Sequence, residues 1–227
     1  MIKFNYYGHS CFMLDTGKEK LLFDPFITYN PLAKIAIDEI QCDYILVSHA
    51  HDDHYGDTSE IAQKTGAMVI STPEVLGKLP EGYNHVHGMN LGGSFNFPFG
   101  RVTMVPALHS AGAAGGIPCG FVVQFNDEYD TVIYFAGDTA LFSDMKLIGE
   151  KQKINYAILP IGDNYTMGAK DAAKAMQLLN AKNAIPIHYN TWPVIAEKPE
   201  TFKAYAESIA QGKVFIVNSG ETLDLVK

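Results

Sequence analysis

Three things are scarce in this chain. Cysteine is one: Cys11, Cys42 and Cys119 are an odd number with no CxxC pair among 227 residues. That argues against a disulfide framework and a thiolate zinc site, and suits core thiols of a reduced, cytoplasmic protein. Positive charge is another, with 17 Lys and Arg against 25 Asp and Glu and a formal charge of −8. The cations are scattered, so nucleic acid and anionic membrane gain no general attraction. This disfavours long nucleic acids without ruling them out. Long apolar runs are the third. No stretch approaches the roughly 20 residues of a membrane helix, and the start, MIKFNYYGHSC, alternates like a strand instead of carrying an apolar leader. The expectation is a protein with no membrane association. Whether it forms a homo-oligomer is left open.

What the chain has is a 47% hydrophobic composition, enough for a sizeable core, and no linker or repeat. Residues 1–227 therefore read as one domain. Strands are expected at 1–7, 11–15, 20–23, 44–47, 67–70, 94–97, 101–108, 120–125, 131–136, 156–159, 184–187, 213–217 and 222–226. Helices are expected at 57–65, with Asp57 capping and Gly66 terminating, and at 169–180 and 200–211. Strand runs mixed with helices on this scale indicate a layered α/β (α+β) domain with sheets inside and helices outside.

The chemistry is concentrated at strand ends. The apolar run 44–47 leads into SHAHDDHYGD, where His49, His51, Asp53 and His54 fall within six residues. His109 follows the strand 101–108, Asp138 follows 131–136, and His188 follows 184–187. Open α/β sheets place their ligand crevices at such C-terminal ends. Five imidazoles and two carboxylates suit borderline divalent ions, zinc foremost, with manganese, iron or nickel also compatible. Seven ligands exceed one four-coordinate ion, and two ions sharing a carboxylate fit the count. Asp52 reads as a solvated or supporting residue. His85 and His87 form a second HxH pair, but with no acidic partner they read as a decoy.

SHAHDDH and GDT (137–139), with His109 and His188 downstream, resemble the metallo-β-lactamase superfamily across essentially the whole chain. YYGHSCF, LLFDPF, LPIGDNYTMG and PIHYNTW resemble its small prokaryotic metal-dependent hydrolases, similar to L-ascorbate-6-phosphate lactonase. The resemblance implies a four-layer αββα sandwich. It also implies that His49, His51 and His109 hold one ion, that Asp53, His54 and His188 hold the other, and that Asp138 bridges them. Asp24 would then support a ligand histidine, or be a plain turn residue. His9 would lie near the site mouth and contact substrate, or be a structural turn histidine.

Two ions about 3.5–4 Å apart can share a hydroxide and polarise the bond it attacks. The expected activity is hydrolysis of an ester, lactone or phosphodiester in a small-molecule substrate, with Asp53 also orienting the hydroxide and taking up its proton. Asn164, Tyr165, Asn190 and Trp192 are candidate pocket walls, though the two aromatics could equally pack. HSAGAAGGIPCG (109–120) is a candidate mobile rim. The alternatives are a single-strand nuclease or cyclic phosphodiesterase, and a metal-binding module without turnover.

Overall fold

Two seven-stranded sheets account for the strand-rich sequence in the computed structural model, which describes residues 1–114 and 116–225. Among these residues the elements run β1 (Ile2–Gly8), β2 (Cys11–Asp15), β3 (Lys20–Phe23), β4 (Tyr44–Leu46), α1 (Asp52–Tyr55), α2 (Thr58–Thr65), β5 (Met68–Ser71), α3 (Pro73–Leu76), β6 (Val86–Gly88), β7 (Ser94–Phe97), β8 (Gly100–Pro106), β9 (Cys119–Phe125), β10 (Val132–Phe135), α4 (Met145–Lys151), β11 (Tyr156–Pro160), α5 (Ala169–Leu178), β12 (Asn183–Ile187), α6 (Pro199–Ile209), β13 (Lys213–Val214) and β14 (Thr222–Leu225). They fall into two compact units, described in turn.

The first unit carries the sheet β14-β1-β2-β3-β4-β5-β6 and the helices α1 to α3. Its central strands β2 to β5 are buried on both faces, while β1 alternates buried and more exposed residues. Cys11, Met13, Leu22, Ile45, Val47 and Val69 pack on one side with Ile61 and Ala62 of α2. Phe12, Leu14, Leu21, Phe23, Leu46 and Ile70 point to the other side and are also buried. Phe12 faces Phe23 across the antiparallel β2–β3 pair, with their rings stacked at 4.5 Å. The strand directions matter most for the site. β1 and β3 are both antiparallel to β2, and β4 is parallel to β3. Hence β1, β3 and β4 point the same way, and His9, Asp24 and His49 emerge at one sheet edge.

The second unit repeats the logic with the order β13-β12-β11-β10-β9-β8-β7. Its helix α5 turns Ala169, Ala172, Ala173 and Met176 inward, at spacings of three and four, and α6 adds Phe202 and Ala206. These meet Tyr134, Ala157, Leu159, Ala184 and Val214 of the sheet. β8 and β10 are both antiparallel to β9, and β10, β11 and β12 are mutually parallel. His109, Asp138, the 162–168 turn and His188 therefore share one edge.

Several local expectations differ from the structure. Helices α1, α3 and α4 and strand β6 were not anticipated. α1 and α3 are single turns and β6 has three residues, too short for a periodic signal. Asp57 makes no side-chain cap on α2. Its carboxylate instead accepts hydrogen bonds from the backbone N–H of Ile27 and Thr28, at 2.8 and 2.9 Å. Gly66 does end α2, in the left-handed conformation that glycine tolerates. Val226 of the last expected strand, and Gly115 of the glycine-rich segment 109–120, lie outside the described residues.

Phe202 is fully buried at the centre of the second core. Phe202→Ala should destabilise the protein by about 3–5 kcal/mol. Urea denaturation followed by circular dichroism would measure it, and a loss under about 1 kcal/mol would contradict this account of the packing.

Candidate metal centre

The ligand candidates of the first unit are organised by one carboxylate. Asp24 ends β3 with a left-handed φ of 39° and is fully buried. Its Oδ1 accepts from Ser48 N–H at 2.7 Å. Its Oδ2 lies 2.6 Å from both Ser48 Oγ and His54 Nδ1. A carboxylate in this role only accepts, so His54 must donate from Nδ1, which leaves the lone pair on Nε2. Ser48 has one hydroxyl proton, and it goes to Asp24. The Ser48 oxygen, 2.9 Å from His49 Nδ1, then accepts from His49. His49 is thereby held in the same tautomer, with its Nε2 lone pair outward. Asp24 thus orients two imidazoles, one directly and one through Ser48, as partners of metal-binding histidines do.

His51 completes the convergence. Its Nδ1 lies 2.8 Å from His49 Nε2, and its Nε2 lies 3.2 Å from Ser110 Oγ. Without an ion, His51 Nδ1–H donates to His49 Nε2 and the Ser110 hydroxyl donates to His51 Nε2. A cation between the two ring nitrogens would take the other tautomer, with Ser110 accepting from Nε2–H. The backbone holds this loop from both sides. Ala50 N–H donates to Ala111 O at 2.8 Å, and Lys78 Nζ donates to Ala50 O at 2.9 Å. Gly112 has φ 70°, and a Cβ there would stand 2.5 Å from His51 N, so only glycine fits. Asp53, His54 and His9 offer ligand atoms within 4.8 Å of one another. His9 is fully buried, with Nε2 3.1 Å from Asp53 Oδ2. Asp52 is exposed in the first turn of α1.

In the second unit Asp138 Oδ2 lies 3.1 Å from His188 Nε2 and 3.6 Å from His109 Nε2. Asp138 and His188 are buried, and His109 is half-buried. Thr139 ties this edge together. Its Oγ1 accepts from Leu108 N–H at 2.9 Å, and its carbonyl accepts from Met167 N–H at 3.0 Å. That is the structural work of the third residue of GDT. His188 sits at φ 54°, and a Cβ on Gly162 would collide with its carbonyl oxygen. Non-glycine residues in this region are strained, and such strain gathers at functional sites.

The pocket-wall candidates differ in setting. Asn164 and Tyr165 are exposed in the 162–168 turn. Asn190 accepts from Glu197 N–H at 2.9 Å through its side chain, and Trp192 is half-buried. His85 stands apart, with Nδ1 2.8 Å from the Gly66 carbonyl oxygen. The cysteines are buried and form no disulfide. Burial raises the Cys42 thiol to about 11 and the Cys11 thiol well above its ordinary value, so neither is a nucleophile near neutral pH. Ser48, Ser110, Gly112, Thr139 and Gly162 were not foreseen from sequence. Only Ser48 and Thr139, inside SHAHDDH and GDT, carried a signal.

Same-directed strands ending in oriented imidazoles and carboxylates define a metal-binding α/β protein. Residues 13–189 match the family model of the β-lactamase superfamily domain. A UPF0173 metal-dependent hydrolase of Natranaerobius thermophilus is 45% identical, covering 99% of this chain and all of its own. One from Enterococcus faecalis is 47% identical over 96% of this chain and 97% of its own. A metallo hydrolase structure from the archaeon Ignicoccus hospitalis superposes with a TM-score of 0.90 at 35% identity, covering 98% of this chain and 97% of that one. The chain belongs to the β-lactamase superfamily, within its UPF0173 metal-dependent hydrolases. Its fold class is the one expected from sequence. No helix among the described residues is long and apolar enough to cross a membrane.

Ser48→Ala removes the link between Asp24 and His49 without touching a ligand. It should weaken metal retention about 10- to 100-fold while the protein stays folded. His85→Ala and His87→Ala should retain metal as wild type does. Competition with a chelator measures all three, and equal losses across them would contradict this assignment.

Proposed function

We propose that the two ligand sets form one dinuclear centre in a single catalytic domain. His49, His51 and His109 would hold one ion, Asp53, His54 and His188 the other, and Asp138 would be shared. The observation that carries this is the tautomer control by Asp24, because fixing two lone pairs outward with a buried carboxylate serves ligation. Asp138, close to both histidines of its own unit, suits the shared position. Zinc fits the nitrogen-rich donor set best, and manganese, iron or nickel also fit.

The function we infer is hydrolysis of an ester, lactone or phosphodiester in a small molecule. When bound, two such ions would lower the pKa of water toward neutrality and polarise the bond to be cleaved. The chain's own residues supply the rest. Asp24 and Ser48 keep His49 and His54 in the ligating tautomer. Asp53 orients the attacking water and takes up its proton. Asn164, Tyr165 and Trp192 supply contacts around the substrate, and Asn190 shapes the turn that carries Trp192. The motifs that resemble those of L-ascorbate-6-phosphate lactonase favour a lactone among these substrate classes. A cyclic phosphodiesterase or single-strand nuclease uses the same chemistry, and the charge of −8 weighs against long nucleic acids.

Wild-type protein should carry up to two transition-metal ions per chain after reconstitution, measured by elemental analysis. Asp138→Asn should lose one ion preferentially and lower turnover of model lactones and phosphodiesters by orders of magnitude, with unchanged circular dichroism. Full occupancy with near-normal turnover in that variant would remove Asp138 from the centre. Metal binding without turnover of either substrate class by the wild type would favour a binding module.

A further inference from the structure

We propose that His9 is a positioning residue that sets the Asp53 carboxylate for metal binding, an inference that rests on Asp53 being a ligand. The β1–β2 hairpin pairs Gly8 with Cys11, which leaves His9 and Ser10 as its two turn residues. Turn tips are normally exposed and polar, and left-handed positions favour Gly, Asn or Asp. Here a histidine occupies φ 56° and is 0% exposed. Asparagine would suit the turn better, so the backbone is not what requires the imidazole.

The surroundings show what the ring does. Its Nε2 lies 3.1 Å from Asp53 Oδ2. The ring meets Phe26 and His54 edge-on, each at 5.6 Å between centroids. The Tyr6 hydroxyl donates to the His9 carbonyl at 2.8 Å. The entry to the turn is pinned as well: Gly8 has φ 98°, and a Cβ there would lie 2.7 Å from Leu32 Cβ. Backbone and ring are thus both fixed, and the N–H of a fixed ring selects one rotamer of Asp53. Asp53 needs such help because its side chain is 26% exposed, whereas that of His54 is fully enclosed. A hydrogen bond from a rigid neighbour to a ligating carboxylate has the same effect as the partner of a ligating histidine.

The substitutions His9→Asn and His9→Gln separate the two roles. Asparagine tolerates the left-handed turn, but its amide falls short of the Nε2 position. Glutamine reaches that position, but strains the turn. Cobalt(II) titration followed by absorption should show His9→Asn and His9→Ala weakening one of two ions about 10- to 100-fold, and His9→Gln recovering most of the loss. Thermal melts of the metal-free proteins should rank the other way, with His9→Asn at least as stable as wild type. In an Asp53→Ala background, His9→Asn should add no further loss. A His9→Asn protein with wild-type affinity, or a full additional loss in the Asp53→Ala background, would overturn the proposal while the wild type still binds two ions. A wild type that takes up no ion would overturn the dinuclear reading and this proposal together.

Discussion

The hydrogen-bonded, buried carboxylate of Asp24 is the interaction on which the imidazoles of the first unit depend. An isolated ionised carboxylate in a protein interior is very unfavourable, and pairing and hydrogen bonding must offset that cost. Asp24 receives three donors, the Ser48 amide, the Ser48 hydroxyl and His54 Nδ1. Charge-assisted bonds of this kind contribute about 1.5–3 kcal/mol each. The donors stabilise the carboxylate, and the carboxylate in turn fixes the donors. The same contacts that make its burial tolerable leave His49 and His54 with their lone pairs directed away from it. Stability and ligand orientation are therefore one arrangement in this part of the chain.

Strand direction explains why so few residues suffice. β1, β3 and β4 run the same way and deliver His9, Asp24 and His49 to a single edge. β8, β10 and β12 do the same for His109, Asp138 and His188. At these ends the chain must leave the sheet sharply, and left-handed residues do it. His9, Asp24, Gly137 and His188 all have positive φ. A tight exit keeps the side chain close to the rigid sheet end, so ligand placement inherits the precision of the sheet and not the slack of a loop.

This division explains what could be read from the sequence. The sheets were legible because strands buried on both faces read as short, nearly continuous apolar runs, as in Cys11–Asp15 and Cys119–Phe125. The ligand candidates were legible because imidazoles and carboxylates after apolar runs have no cheaper explanation when several recur. Short elements such as α1 and α3 were not, since one turn has no period to detect. Asp57 stands at the start of α2 without capping it, and local sequence does not show that its carboxylate reaches the backbone at Ile27 and Thr28, 30 and 29 residues earlier. Ser110 and Gly112 were hidden for a similar reason. Their work is done against His51, which lies 59 residues before Ser110, and nothing beside them in the chain announces it.

The pocket-wall candidates were the least legible residues, and their setting gives the physical reason. Asp24, His49 and His54 are held by buried hydrogen bonds, whereas Asn164 and Tyr165 are exposed in the turn 162–168. That turn is anchored at its base, where Asp163 N–H donates to Met167 O and Met167 N–H donates to Thr139 O. The base is thus tied to the GDT segment while the tip meets solvent. Residues at such a tip can change with little effect on folding, because few buried contacts depend on them. The buried imidazoles and carboxylates sit where substitution is costly, and the turn tip where it is tolerated. One frame of oriented imidazoles and carboxylates can therefore carry different tips without disturbing the hydrogen bonds that hold it.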